Sequence, residues 1–406
     1  MLNVQNLIKK PNVHRTEPFQ ESVIREMTRL SNEAGAVNLS QGIPDFDTPP
    51  AVLEAAISAI RSGDNQYQFS FGVPAFRKAI ARKTIEYNHI PTNPDTQVTV
   101  TCGVSEATYC AVLALTDPGD EVIILQPWYE NYVPDCLMAG VTPRFVPLRE
   151  PDYTFDPDEL RAAFTNRTRL VFFNTPHNPT GRVFTCEELE VIAALCQEYD
   201  VIALTDEIYE YILYDGHEHV SIGSLPGMEN RTVTVTGLGK TYGVTGWRVG
   251  WAIASPELTA KIRKVHDYLT ICAPGPFQAG GVAALNLTKD YYNAMREDYS
   301  NRRTILLEGL TQAGFTYRVP EGAYYVMADF GHIDWDQKKY AKAGWSLDRV
   351  FSEYLAREIG VAVVPGSSFY TDSGEGHTRV RFNFAKRPDT LEKAAKLLLK
   401  LRKFKA

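Results

Sequence analysis

The feature of this 406-residue chain that most narrows its fold is a rhythm, in which short β-branched runs alternate with stretches of helical periodicity. "QVTVTC" (97–102) precedes "SEATYCAVLAL", "EVIILQ" (121–126) precedes "ENYVPDCLMAG", and "RLVFFNT" (169–175) precedes "TCEELEVIAALCQEY". "VIALTDE" (201–207), "RTVTVTGL" (231–238) and "VGWAIA" (249–254) follow. The runs are nearly all apolar, as strands must be when helices cover both faces of a sheet. Thr185 and Glu188 have the spacing of a capping box and predict a helix start between the third run and the fourth. The pattern predicts an α/β fold with a mostly parallel central sheet flanked by helices.

Past residue 287 the rhythm changes. "TKDYYNAMREDYSNRRTILLEGLTQAG" reads as one long amphipathic helix ending at Gly314. "TYRVPEGAYYVMADF", a helix near 346–358, "VAVVPG", "HTRVRFNFA" and a terminal helix come after it, without strict alternation. These elements predict a smaller α+β domain. The division expected is an N-terminal segment (1–45, helical over about 16–35) packing with the small domain, a large α/β domain over 46–290, and a small domain over 291–406.

Composition removes several functions. A net charge of −7 offers no basic footprint for nucleic acid. No apolar run is long enough to span a bilayer, and "MLNVQNLIKKPNVHRTEP" lacks the apolar core of a signal peptide. The six cysteines show no CxxC spacing and the eight histidines no HExxH, so reduced thiols of a cytoplasmic protein with no bound metal are expected.

The chemistry centres on "TVTGLGKTYGVTGWRVGW" (234–251). Gly239-Lys240-Thr241 resembles the end of a phosphate loop, but the first glycine of GxxxxGK[ST] would have to stand at Thr234, which reads as strand. Covalent chemistry makes a different demand. A lysine that condenses with a carbonyl needs cationic company or desolvation to lose its proton. Lys240 follows a buried-looking strand among glycines, and Arg248 is close enough in sequence to bind an anionic handle. Pyridoxal 5'-phosphate offers both, an aldehyde for Lys240 and a phosphate for Arg248. Its ring nitrogen needs a buried carboxylate, and Asp206 closes the strand "VIALTD". Tyr209 and Asn178, the latter in "NTPHNPTG", are candidate donors to the ring hydroxyl. Gly103, Val104 and Ser105 form a strand-to-helix turn suited to the phosphate.

Together "NTPHNPTG", "DEIYEYILYD" and "GLGKTYGVTGWRVGW" resemble the fold-type I, class I/II aminotransferases that use pyridoxal phosphate. The likeness runs from "VNLSQGIPDF" to "VRFNFAK". "NLSQGIPDFDTP", "NQYQFSFG" and "VHDYLTICAPGPFQ" look most like the kynurenine, glutamine and methionine aminotransferase branch. The resemblance implies Lys240 as the Schiff-base lysine and proton shuttle, Asp206 at the pyridinium, and Tyr209 and Asn178 at the ring oxygen. It implies Tyr129, rather than Trp128, stacked on the ring. It implies Arg381 on the substrate α-carboxylate, assisted by Asn174 and the backbone of Gly42, with Tyr67 reaching the phosphate of the other subunit in a homodimer with shared sites. Relatives often carry a phosphate-binding serine in the strand before the lysine; here Thr236 stands as its possible substitute.

The implied activity is ping-pong transfer of an amino group between an L-amino acid and a 2-oxo acid. A cysteine-conjugate β-lyase or another carbon–sulfur lyase is the alternative, because the same carbanion can expel a β-substituent. Tyr67, Phe69, Phe71, Trp128, Tyr129 and Tyr268 tilt the expected side chain towards apolar or aromatic amino acids, methionine or glutamine. No second cation for a distal carboxylate can be placed from the sequence.

Overall fold

Strands form where the sequence places its apolar runs. The protein is described here as a computed structural model covering residues 21–371 and 374–405. In chain order its strands are β1 (Val37–Asn38), β2 (Val98–Thr101), β3 (Glu121–Gln126), β4 (Thr142–Pro147), β5 (Thr168–Asn174), β6 (Ile202–Asp206) and β7 (Thr232–Gly237). They continue with β8 (Gly250–Ala254), β9 (Thr316–Tyr317), β10 (Tyr325–Asp329), β11 (Val361–Ala362), β12 (Val364–Pro365) and β13 (Arg379–Asn383).

The main sheet has the order β2-β8-β7-β6-β5-β3-β4. Only β8 runs against the others, since it pairs antiparallel with both β2 and β7 while the remaining pairs are parallel. Every residue of β2, β3, β7 and β8 is buried, which accounts for their unbroken apolar or threonine-rich sequence. The capping box is present, with the Thr185 side chain accepting from the Glu188 N–H and the Glu188 carboxylate accepting from the Thr185 N–H. One strand has no counterpart in the sequence reading. β4 reads TPRFVP, and its two prolines hide it; among the described residues it pairs only with β3 and forms an edge, where a missing N–H is tolerated.

A second sheet, β12-β13-β10-β9, is antiparallel throughout. The long helix Lys289–Ala313 closes at Gly314, whose φ of 98° is the left-handed cap a glycine supplies. The N-terminal helix spans Val23–Ala34, and the first residues of the expected 16–35 stretch lie outside the described residues. Beyond it, β1 pairs parallel with β11, Val37 opposite Val361 and Asn38 opposite Ala362. All six cysteines are free. Among the described residues no helix is long and apolar enough to cross a membrane.

The C-terminal ends of β6 and β7 rest on a buried polar network. Lys83 Nζ lies 2.5 Å from Glu210 Oε1 and donates to Asn88 Oδ1 at 2.8 Å. Asn88 Nδ2 donates to Glu210 Oε2 at 2.7 Å, and Thr236 Oγ1 to Glu210 Oε1 at 3.0 Å. Ser221 donates to Glu207 at 2.8 Å, and His219 Nε2 lies 2.9 Å from its other oxygen. Burial alone would raise the Glu210 carboxyl; the charges of Lys83 and His219 and the hydrogen bonds overcome it and hold it below the usual carboxylate range. Lys83→Met leaves this carboxylate buried without its cation and should destabilise the protein by about 3–5 kcal/mol. Urea unfolding measures the loss, and adding Glu210→Gln should restore most of it. A Lys83→Met protein as stable as the parent would show that the network carries no net stabilisation.

Candidate active site

A cleft of about 470 Å³ opens at the C-terminal ends of β5, β6 and β7, where open α/β sheets place their ligands. Asn174 ends β5, Asp206 ends β6, and Lys240 lies in the short helical turn that follows β7. The loop after β5 adds Asn178, and the C-terminal sheet adds Tyr325 and Arg381.

Asp206 is 5% exposed. Its Oδ2 accepts from the Tyr132 hydroxyl at 2.9 Å and its Oδ1 from the Ile208 N–H at 3.1 Å. Burial pushes the carboxyl up to about 6, against the pull of these donors and of Lys240. Lys240 Nζ donates to Gly42 O at 3.4 Å. Withdrawal from water lowers its pKa; Tyr325 and Asp206 oppose that shift, while Arg248 and Arg381 add to it. This is the environment the sequence argument asked of a nucleophilic amine.

Arg381 is fully buried. Nη1 donates to Asn178 Oδ1 and Nη2 to Ser40 O, both at 2.7 Å, and the guanidinium carbon lies 4.3 Å from the Tyr325 ring centroid. Its buried Nε has no partner, and no carboxylate among the described residues pairs with it. A buried guanidinium left in this state calls for an external anion. Arg379, on the same face of β13, instead pairs with Glu150.

The other anion site lies at the start of the helix Val104–Leu115. The N-cap Gly103 has no side chain to cap that helix, so among the described residues its first N–H groups are open to an anion. Gly103 precedes it with φ 85°, and a Cβ there would meet Arg248 Nη2 at 2.5 Å. Arg248 itself has φ 53°, a strained setting for a residue with a side chain. Glycine is thus the residue that lets a guanidinium lie on a helix N-terminus, and the donor set fits a phosphate. With the lysine, the buried carboxylate and this cradle in one cleft, the residues fit pyridoxal phosphate.

The loop 40–43 closes the other side. Its successive carbonyls accept from Arg381 at Ser40, from Asn383 at Gln41 (2.7 Å), from Lys240 and Tyr324 (3.1 Å) at Gly42, and from Lys386 at Ile43 (2.6 Å). A Cβ on Gly42 would lie 2.0 Å from the Tyr325 hydroxyl oxygen.

The cleft brings together Lys240, Asp206, Tyr209, Gly103, Val104, Ser105, Tyr129, Asn178, Arg248, Gly42, Asn174 and Arg381. The Tyr209 hydroxyl lies 3.1 Å from that of Tyr325. Asn174 has both ends engaged within the protein, donating to Asp206 O at 2.6 Å and accepting from the Asn178 N–H at 2.7 Å, so it holds the loop that carries Asn178. Trp128 is buried against Phe145, outside the cleft. Tyr67 is also outside it and 79% exposed. The Thr236 hydroxyl donates towards Glu207 O and Glu210 and does not line the cleft, so this structure gives it no phosphate to hold. Of the six aromatic residues expected at the mouth, Tyr129 alone lines it; Phe71, for one, is packed against the guanidinium groups of Arg77 and Arg263. The sequence reading missed Tyr132 and Tyr325. Tyr132 opens a helix three residues after Tyr129, and the two rings meet edge to face at 5.8 Å, a contact that no local rule in the sequence announces.

The model of the family described as aminotransferase class I and II matches residues 34–398. The probable N-succinyldiaminopimelate aminotransferase of Mycobacterium tuberculosis is 37% identical, over 95% of this chain and 97% of its own. The kynurenine–oxoglutarate transaminase of Dictyostelium discoideum is also 37% identical, over 96% of each. A solved Escherichia coli structure with a methionine aminotransferase function superposes with a TM-score of 0.89 at 33% identity, covering 96% of this chain and all of that one. These relatives are named for transamination, and none of them favours the carbon–sulfur lyase alternative. The chain belongs to the class I and II aminotransferases, a pyridoxal-phosphate enzyme of fold type I that moves amino groups between amino acids and 2-oxo acids.

Proposed function

We propose that Lys240 carries the cofactor and moves the substrate proton, that Asp206 keeps the ring nitrogen protonated, and that Arg381 takes the α-carboxylate of every substrate in a ping-pong cycle. The observation that carries this reading is the charge arrangement. A buried guanidinium without a carboxylate partner among the described residues shares one cleft with a desolvated lysine and a buried carboxylate. When bound, pyridoxal phosphate supplies a carbonyl that condenses with amines and a ring that accepts the electron pair left at Cα. Arg248 and the Gly103–Ser105 turn hold the phosphate, Tyr129 stacks on the ring, and Tyr209 and Asn178 donate to its oxygen. Arg381 and Gly42 fix the α-carboxylate, with Asn174 supporting Asn178. With its pKa lowered, Lys240 can then take the Cα proton as a base and return it as an acid.

The same reading makes the enzyme a homodimer. Tyr67 and Phe69 stand exposed on one segment, and Tyr268, Leu269 and Ile271 on another. Ser70 joins the two segments, its hydroxyl to Asp267 and its carbonyl to His266, each at 2.6 Å. An apolar face of this kind suits a second copy, which would bring Tyr67 to the neighbouring phosphate. The free thiols suit a cytoplasmic setting. We take residues 46–290 and 291–406 as the two domains, with the N-terminal segment 1–45 joined to the second; within its described part, residues 21–45, the β1–β11 pairing supports this.

Borohydride reduction of the holoenzyme should fix the cofactor on Lys240, read by peptide mass spectrometry, and Lys240→Ala should bind cofactor without turnover. An adduct on another lysine would refute the assignment.

Asp206 should show its cost in the cofactor-free protein. A carboxyl raised from about 3.9 to about 6 on folding destabilises the native state as pH rises through that window, by about 3 kcal/mol at pH 7. Cofactor-free Asp206→Asn should therefore be more stable than the parent at pH 7 by a comparable amount, the gap closing below about pH 4. Its holoenzyme should lose several kcal/mol of barrier lowering. Equal urea midpoints at pH 7 and normal kcat would contradict both halves.

Arg381→Lys should raise KM for all amino and oxo acids together, by about 2–5 kcal/mol, and leave cofactor absorbance unchanged. Tyr67→Phe should do the opposite, weakening cofactor retention in a protein that sediments as a dimer. Full retention of cofactor by a monomeric enzyme would remove Tyr67 from the site.

A further inference from the structure

Behind the phosphate turn lies a buried histidine that the reaction does not use. His266 stands in the last turn of the helix Pro256–Leu269 and is 0% exposed. Its Nε2 lies 2.6 Å from the carbonyl oxygen of Ser70, and its Nδ1 lies 2.6 Å from Glu106 Oε1. A carbonyl oxygen can only accept, so Nε2 carries a proton. Glu106 accepts from the Cys102 N–H at its other oxygen, and the Thr270 hydroxyl donates to Oε1 at 2.5 Å. A carboxylate with those donors is held in its ionised form, so Nδ1 carries a proton too. The geometry makes His266 an imidazolium.

The titratable groups around it are Glu106 and Cys110 on the helix Val104–Leu115, Cys102 after β2, and Asp267 and Arg263 on its own helix. Cys110 Sγ lies 3.9 Å from Glu106 Oε1, and Cys102 Sγ lies 3.7 Å from Cys272 O. Burial pushes both thiols up, so they stay neutral. Asp267 accepts from the Ser70 hydroxyl at 2.6 Å, and Arg263 Nη2 donates to Val98 O at 2.7 Å. Burial alone would lower the His266 pKa; the hydrogen bond and charge of Glu106, the Ser70 carbonyl and Asp267 outweigh it and raise it. Burial alone would likewise raise the Glu106 carboxyl, and the bond and charge of His266, with the Thr270 and Cys102 donors, hold it low.

Glu106 lies in the first turn of the helix whose N-terminus is open to the cofactor phosphate, and its carboxylate holds the N–H of the residue before Gly103. Left bare, a carboxylate there would repel the phosphate and compete with it for the positive end of the helix. His266 cancels that charge. It also ties the phosphate turn to Ser70, on the segment that carries Tyr67. A neutral imidazole has a single N–H, so loss of the proton uncovers the carboxylate and breaks one of the two ties.

We propose that His266 is a positioning residue for cofactor binding, which as an imidazolium neutralises Glu106 and fastens the phosphate turn to the Ser70 segment, so that cofactor is held tightly while His266 is charged and loosens when it is neutral. This inference rests on the placing of the cofactor phosphate at the Gly103–Ser105 turn. Because the site raises the pKa of His266, the tight state extends above the ordinary histidine range and is lost as pH rises through the folded value.

The test measures dissociation of pyridoxal phosphate from the holoenzyme by visible absorbance, from mildly acid to alkaline pH, in the parent, Glu106→Gln and His266→Gln. Glu106→Gln can keep both contacts without charge, its amide donating to Nδ1 of a neutral His266 and accepting from the Cys102 N–H. Relative to that variant, the parent should lose cofactor affinity about fivefold to tenfold as pH rises through the His266 titration. The comparison removes the ionisation of the phosphate and of Lys240, which parent and variant share. His266→Gln should bind cofactor more weakly than the parent by the same factor at acid pH and equal it at alkaline pH. By linkage, the His266 ring, followed by NMR in histidine-labelled protein, should titrate at higher pH with cofactor than without it. A His266 that titrates at the same pH in both states, or a parent-to-Glu106→Gln ratio that stays flat with pH, would overturn the proposal. So would a Glu106→Gln protein that loses cofactor as readily as His266→Gln at every pH, since the pair would then act by packing alone. Failure of the underlying phosphate reading looks different: Arg248→Gln would then retain cofactor as the parent does.

Discussion

Arg381 joins three parts of the chain that lie far apart in sequence. Its side chain leaves β13, donates to the carbonyl of Ser40 in the N-terminal loop, and donates to Asn178 in the loop after β5. A guanidinium cannot shed its charge when buried, so each remaining N–H needs an acceptor. Two have protein partners, and the rest of the donor face is left for an anion. The site is thus built around a group that is expensive to bury without its ligand, and the loops that carry the chemistry are gathered by satisfying part of it.

The same logic appears at Asp206 and Arg248. A carboxyl raised by burial and an arginine in left-handed backbone both cost free energy in the cofactor-free protein. The network of Lys83, Asn88, Glu207, Glu210 and His219 lies just behind them, and it shares Thr236 with the strand that leads to Lys240. Strain at the mouth of the sheet is backed by buried, hydrogen-bonded polar groups one layer deeper. Local cost at a functional site, carried by the surrounding fold, is the usual physical relation between activity and stability.

Much of this was legible in the residues. Strands buried on both faces announce themselves, because burial leaves little choice of side chain. Lys240, Asp206 and Arg248 could be expected together in one cleft, because covalent chemistry on an amine makes demands that few residue types meet. What could not be read depends on contacts between distant segments. Alternation puts Thr232, Thr234 and Thr236 on one face of β7, but no local rule says that this face meets Glu210 rather than a phosphate. Arg379 and Arg381 share a face of β13; Glu150 claims one and Asn178 the other, and both partners come from far away in sequence. Tyr132 and Tyr325 reach the cleft by the same kind of long-range packing.

The prolines that hid β4 also protect the protein. A sheet with an unpaired outer strand offers a row of backbone donors and acceptors to any extended segment that diffuses past. At Pro143 and Pro147 two of those donors do not exist. A foreign strand laid along this edge would find its carbonyls unmatched at two of the three outward-facing positions, 143, 145 and 147, so the sheet is poorly suited to grow sideways into an aggregate. The substitution that would make this strand easiest to recognise in the sequence, proline to valine, is also the one that would turn the edge into a template.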